Sequence, residues 1–151
     1  MPITVNGLDE LRAAAGRDLG HSSWLDIDQK RVNLFADATD DHQWIHVDPE
    51  RAEDGPFGGP IAHGYLTLSL VIPLFSELLV MEGISVSINY GLNKVRFISP
   101  VPVGSRIRMA ATLAEVTDVR GGVQCVVDAT VEIEGRDKPA VVGQAVFRYL
   151  A

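Results

Sequence analysis

"VQCVVDATVEIEG", residues 123–135, decides the fold. Val123, Cys125, Val127, Ala129, Val131 and Ile133 fall on one side of an extended chain, and Gln124, Asp128, Thr130, Glu132 and Glu134 on the other. Successive side chains of a strand point to opposite faces, so this spacing predicts a long antiparallel strand with one buried and one wet face. The same alternation recurs on both sides. "RIRMAATLAEV" (106–116) carries it through Ile107, Met109, Ala111 and Leu113. "AVVGQAVFRYL" (140–150) carries it through Val141, Gly143, Ala145, Phe147 and Tyr149. Gly121-Gly122 between two of these runs is a hairpin signal, and "ISVSINYGLNKVRFI" (84–98) supplies one or two further strands.

Upstream of the strands lies "YLTLSLVIPLFSELLVM" (65–81), apolar on nearly every side. It is a little short for a membrane span and is interrupted by Pro73 and Glu77. It predicts a helix enclosed by protein, kinked at the proline. A buried helix followed by about four long antiparallel strands is an α+β pattern, a curved sheet wrapped around a helix. Such a sheet has an edge to hide, which favours a homodimer.

The first half of the chain is helical and irregular. "GLDELRAAAG" (7–16) reads as a short helix ending at Gly16, and "LGHSSWLDI" (19–27) as a strand. "DIDQKRVNLFADAT" (26–39) reads as a helix capped by Asp28, with Val32, Phe35 and Ala36 on one face. Asp48 and Pro49 open another short helix. "GPFGGPIAHG" (55–64) holds four Gly and two Pro and is a loop.

The totals bound the function. At 151 residues the chain is expected to form one domain, residues 1–151. Its 46% hydrophobic and 22% charged residues are ordinary globular values. A net charge of −7 argues against nucleic acid as the main partner. The single cysteine, Cys125, cannot form an internal disulfide, which points to a reducing, cytoplasmic setting. The N-terminal stretch carries Asp9 and Glu10 and shows no signal-peptide pattern, and no membrane association is expected.

The chemistry concentrates in "DDHQWIHVD" (40–48). Trp44 and Ile45 must be buried, which pins Asp41 and His46 to the core. A carboxylate and an imidazole held partly out of water exchange protons with a bound water. A metal reading competes: His42 and His46 stand four apart, and Asp41, Asp48, Glu50 and His63 are further candidates. Asp48-Pro49, however, starts a new helix, so residues 42–46 do not share one helix face, and no metal is expected. Cys125 lies on an apolar strand face and reads as packing. "AHG" (62–64) leads into the apolar helix, whose free N–H groups and positive dipole end suit a ligand oxygen; Gly64 lets that oxygen approach.

"FADATDDHQWIHVDPERA" (35–52) resembles the signature of the (R)-specific enoyl-CoA hydratase, or MaoC-like dehydratase, family. That signature runs aromatic, small-residue turn, Gly-Asp-x-Asn-Pro-aliphatic-His, five residues, then Ala or Ser. Phe35, Thr39, Asp41, Ile45, His46 and Ala52 match in register, whereas Asp40 replaces the Gly, Gln43 the Asn and Trp44 the Pro. "GGPIAHGYLTLSL" (58–70) and "VRFISPVPVGSRI" (95–107) resemble the family's later landmarks, and the branch it is most similar to is that of nodulation protein N. The resemblance implies the hot-dog fold, a dimer, and reversible hydration of trans-2-enoyl-CoA to the (R)-3-hydroxyacyl product. It implies Asp41 and His46 as the catalytic pair and the Gly64 amide as oxyanion donor, with no cofactor beyond the coenzyme A of the substrate. Tyr65 is expected near the start of the acyl path, and Lys94 and Arg96, or Arg106 and Arg108, as a local basic patch for coenzyme A phosphates. A hot-dog thioesterase and a non-catalytic acyl-CoA-binding protein are the alternatives.

Overall fold

The computed structural model describes residues 2–151. In chain order it runs β1 (Ile3–Asn6), α1 (Gly7–Ala13), β2 (Asp18–His21), β3 (Leu25–Asp26), α2 (Gln29–Thr39), α3 (Trp44–Val47) and α4 (Pro49–Glu53). It continues with α5 (Gly64–Ser69), α6 (Val71–Ser76), β4 (Leu79–Glu82), β5 (Val86–Phe97), β6 (Arg106–Val119), β7 (Gly122–Ile133) and β8 (Val141–Leu150). The main sheet has the order β2-β6-β7-β8-β5, with β3 also on β6, and its pairs are antiparallel.

The alternation in residues 123–135 falls as expected. Val123, Cys125, Val127, Ala129, Val131 and Ile133 are buried, while Gln124, Asp128, Thr130 and Glu132 are not. The inward rows of β6, β7 and β8 form one core with Leu66, Leu70, Val71, Leu74 and Phe75 of α5 and α6. Phe75 stacks on Phe147 with centroids 5.2 Å apart, which ties helix to sheet. The chain is α+β with the hot-dog arrangement, a curved antiparallel sheet around a helical centre.

The tight β6–β7 hairpin depends on glycine. Val119 pairs with Gly122 across Arg120 and Gly121, and Gly121 sits at φ +83°. At Gly122 the constraint is space: a Cβ there would stand 1.9 Å from the Tyr149 carbonyl oxygen.

Three expectations are corrected. The apolar stretch 65–81 is not one kinked helix but two six-residue helices meeting at Leu70. Pro73 has no N–H to offer the Ser69 carbonyl four residues back. Residues 79–82 leave the helix to form β4, which pairs in parallel with β1, a strand the alternation was too short to announce. Nor is the helical centre enclosed: Tyr65 and Ile72 are 69% and 37% exposed, because the sheet covers only one side. The expected strand at 19–27 is split into β2 and β3. Among the described residues no helix is long and apolar enough to cross a membrane.

Candidate active site

Two capped helices and one glycine-rich loop converge on the site. Asp28 caps α2 by accepting the Arg31 N–H at 2.8 Å. The helix ends at Asp40, whose φ of 60° and ψ of 20° are left-handed. This is the position the family pattern gives to glycine; aspartate is among the few other residues that tolerate it. The reversal aims Asp41 back toward α3, which carries His46. As expected, α3 is a separate four-residue turn, and Asp48 opens α4 by accepting the Arg51 N–H at 3.2 Å.

Three bonds fix His46. Its carbonyl accepts from Gln29 Nε2 at 2.7 Å, and the neighbouring Ile45 carbonyl accepts from the Ile61 N–H at 3.0 Å. Its ring Nδ1 lies 2.7 Å from the Ile61 carbonyl oxygen. A carbonyl only accepts, so Nδ1 carries the proton and Nε2 keeps a free lone pair. Burial lowers the His46 pKa from its ordinary 6.5; nearby His63 adds to the lowering, while the Ile61 carbonyl and Asp41 oppose it. The resting imidazole is therefore neutral, with its basic nitrogen available.

A carboxylate oxygen of Asp41 and one ring nitrogen from each of His46 and His63 lie within 4.8 Å of one another. A water making two hydrogen bonds of about 2.8 Å spans up to about 5.6 Å, so one molecule bridges such a gap. The same three side chains are the metal candidates closest together among the described residues. The histidine rings, however, stack at 3.9 Å and 25°, so their nitrogens lie in two separate, nearly parallel planes. A zinc-like ion needs them to converge on one point about 2.0–2.1 Å away. Of the other proposed ligands, His42 bonds Asp37 at 2.8 Å and Asp48 caps α4.

Gly64 is the first residue of α5, so its N–H has no intrahelical acceptor. Gly64 and His46 line one cleft of about 350 Å³, walled by Phe57, Thr67, Phe97 and Val101. Phe97 closes over the glycine: a Cβ at Gly64 would lie 3.2 Å from its ring. Tyr65 meets the edge of the same ring at 5.9 Å and is otherwise exposed. Lys94 and Arg96 are placed elsewhere. They line a hollow with Asn93, Asp128, Val142 and Gln144 that shares no residue with the cleft holding His46 and Gly64. Cys125 is fully buried, and burial pushes its thiol up to about 12.

In the sequence His63 reads only as a possible metal ligand, and Phe57, Thr67 and Phe97 carry no site signal. Nothing in their spacing marks them as neighbours, since the cleft joins a loop, a helix start and the end of β5.

A hot-dog sheet whose helical centre starts beside a neutral histidine and a carboxylate is the layout of a hydro-lyase. Residues 10–135 match the model of the MaoC like domain, and the chain belongs to this dehydratase family. It is 54% identical over 149 residues to 3-hydroxyacyl-thioester dehydratase Z of Mycobacterium tuberculosis, covering 98% of this chain and 99% of that one. It is 47% identical over 138 residues to nodulation protein N of Rhizobium leguminosarum bv. viciae, covering 89% and 85%. Among solved structures, an (R)-hydratase from A. caviae superposes with a TM-score of 0.72 at 26% identity, covering 88% of this chain and 94% of that one.

Proposed function

We propose that the protein is an (R)-specific enoyl-CoA hydratase, catalysing reversible syn addition of water to trans-2-enoyl-CoA. The observation that carries this reading is the His46 tautomer: a neutral imidazole with Nε2 left to accept, beside a carboxylate and sharing a cleft with a helix-start amide that has no intrahelical acceptor. The thioester carbonyl would accept from the Gly64 N–H, which draws electron density from C3 and stabilises the enolate oxygen. Asp41 and His46 hold the water. Its proton passes to His46 Nε2 as the hydroxide oxygen bonds C3, and a proton is returned to C2 from the same face. In reverse, the base takes the C2 proton and the C3 hydroxyl leaves as water. Positioned acid–base groups of this kind are worth roughly 100- to 10,000-fold.

The apolar wall of Phe57, Phe97 and Val101 suits the acyl chain. The reaction requires no metal or organic cofactor, since coenzyme A arrives as part of the substrate. The carrier's phosphates remain assigned to exposed basic side chains, Lys94 and Arg96 being the proposed ones. We further propose a homodimer, joined at β5. Among the described residues that strand pairs only with β8, and it exposes Val86, Ile88, Tyr90, Leu92 and Phe97. An uncovered apolar edge of this length invites a second copy. The lone buried cysteine accords with the cytoplasm.

The test is the enoyl absorbance of crotonyl-CoA, followed together with free thiol. Loss of the band without thiol release supports hydration. Thiol release would make the protein a thioesterase, and no change in either signal would leave an acyl-binding role.

A further inference from the structure

One side chain touches every part of this site and takes no part in the proton transfers. His63 is 2% exposed. Its Nε2 lies 2.9 Å from the Asp41 carbonyl oxygen, so Nε2 carries the proton and donates it. Its ring stacks on His46 at 3.9 Å, and Phe35 packs on it at 4.9 Å and 54°. Its backbone is the N-cap of α5, immediately before Gly64. Its Nδ1 is buried, with no hydrogen-bond partner among the described residues.

We propose that His63 is the positioning residue of the site, an imidazole plate that sets the gap between Asp41 and His46 and ties both to the Gly64 amide. The proposal rests on the functional reading above. The Asp41 peptide follows a left-handed residue and has little regular structure to hold it. The clamp from Nε2 fixes where its carboxylate starts, and the stacked ring fixes the plane in which His46 can lie. Phenylalanine would fill the same slot without stranding a buried nitrogen, which is a real cost. A residue serving only to pack would have no need of the imidazole. With both contacts on one ring, any displacement of the loop moves the acid, the base and the helix start together.

The experiment compares His63→Phe, which keeps the plate and removes the donor, with His63→Gln, whose amide reproduces an N–H near the position of Nε2. Misplacement by about 1 Å costs on the order of 100-fold in rate. His63→Phe is accordingly expected to lose roughly 10- to 100-fold in kcat with KM within about 3-fold, and His63→Gln to recover most of the loss. An equal loss in both variants, or unchanged kcat in His63→Phe, overturns the proposal. A second measurement needs no turnover. Two-bond ¹H–¹⁵N spectra of the wild-type imidazoles are expected to show a proton on His63 Nε2. An Nε2 without a proton overturns the proposal, even where His63→Phe does not fold. If wild-type protein fails to hydrate any enoyl thioester, the functional reading falls. Positioning is then decided by those spectra and by the Asp41 carboxyl ¹³C signal, which is expected to move in His63→Phe and stay in His63→Gln.

Discussion

Deleting the proposed oxyanion donor is possible without deleting a side chain, because Gly64 is the first residue of α5. Proline is favoured at the first helical position, where its missing N–H costs the helix nothing. The residue before it must be extended, and His63 already is, at φ −61° and ψ 138°. Gly64→Pro therefore removes the amide hydrogen while the backbone stays as it is. It also adds a Cβ that would meet Phe97 ring carbons at 3.2–3.3 Å, so that exposed ring must shift by a few tenths of an ångström. Gly64→Ala carries the same Cβ and keeps the N–H, so it isolates the packing change. One oxyanion donor is worth about 3 kcal/mol, or roughly 100- to 1,000-fold in kcat. Gly64→Pro is expected to fall below Gly64→Ala by that factor in enoyl-band turnover, with both melting close to wild type. Equal rates in the two variants would remove the Gly64 amide from the reaction.

Asp41→Asn and His46→Gln are each expected to lower kcat by roughly 100- to 10,000-fold while leaving the fold intact by circular dichroism; wild-type rates in both would exclude the pair. Because burial depresses the His46 pKa below 6.5, activity is expected to hold at neutral pH and fall only as pH drops through that lower value. The sign for stability is the same. Protonation favours the unfolded chain, so the contribution is complete above 6.5 and is lost as pH falls through the folded value, as acid melts would show. Gly122→Ala puts a Cβ 1.9 Å from the Tyr149 carbonyl oxygen, so β8 must separate from β7 there. The expected cost is about 3 kcal/mol or more in denaturant melts, and a wild-type midpoint would contradict the register. Ile88→Arg, which charges the apolar edge of β5, is expected to convert dimer to monomer in light scattering at unchanged secondary structure.

The sheet was legible because its signal is local and repeated. Each of β6, β7 and β8 carries its own alternation, and antiparallel neighbours need only short turns. Asp28 and Asp48 announced α2 and α4 by the same local logic, since a cap acts on an amide three residues away. β1 and β4 were not legible: each has four residues, and they pair in parallel across more than seventy positions of chain. The site divides in the same way. Asp41, His46 and Gly64 stood out because the resemblance spaces them in sequence. His63 and Phe97 act through contacts that exist only once the loop 55–64 is stitched to α3 and β5 ends over Gly64.

The departures from the family pattern also acquire a physical account. In that pattern the turn between aspartate and histidine holds Asn-Pro, a good cap followed by the residue best suited to the first helical position. Here Gln43 occupies the cap of α3 and makes no side-chain cap bond, and Trp44 takes the first position. Neither replacement stiffens the backbone as Asn-Pro would. The compensation comes from packing instead. Arg51 lies over the Trp44 ring at 4.3 Å, and Gly55 approaches so closely that a Cβ there would stand 2.9 Å from it. The Gln29 and Ile61 bonds then hold the backbone of residues 45 and 46 from either side. The turn that carries His46 is thus secured by tertiary contacts rather than by its own residues. Its stability is now coupled to the 51–55 segment, so loosening Trp44 would disturb the histidine through its backbone before the core is touched.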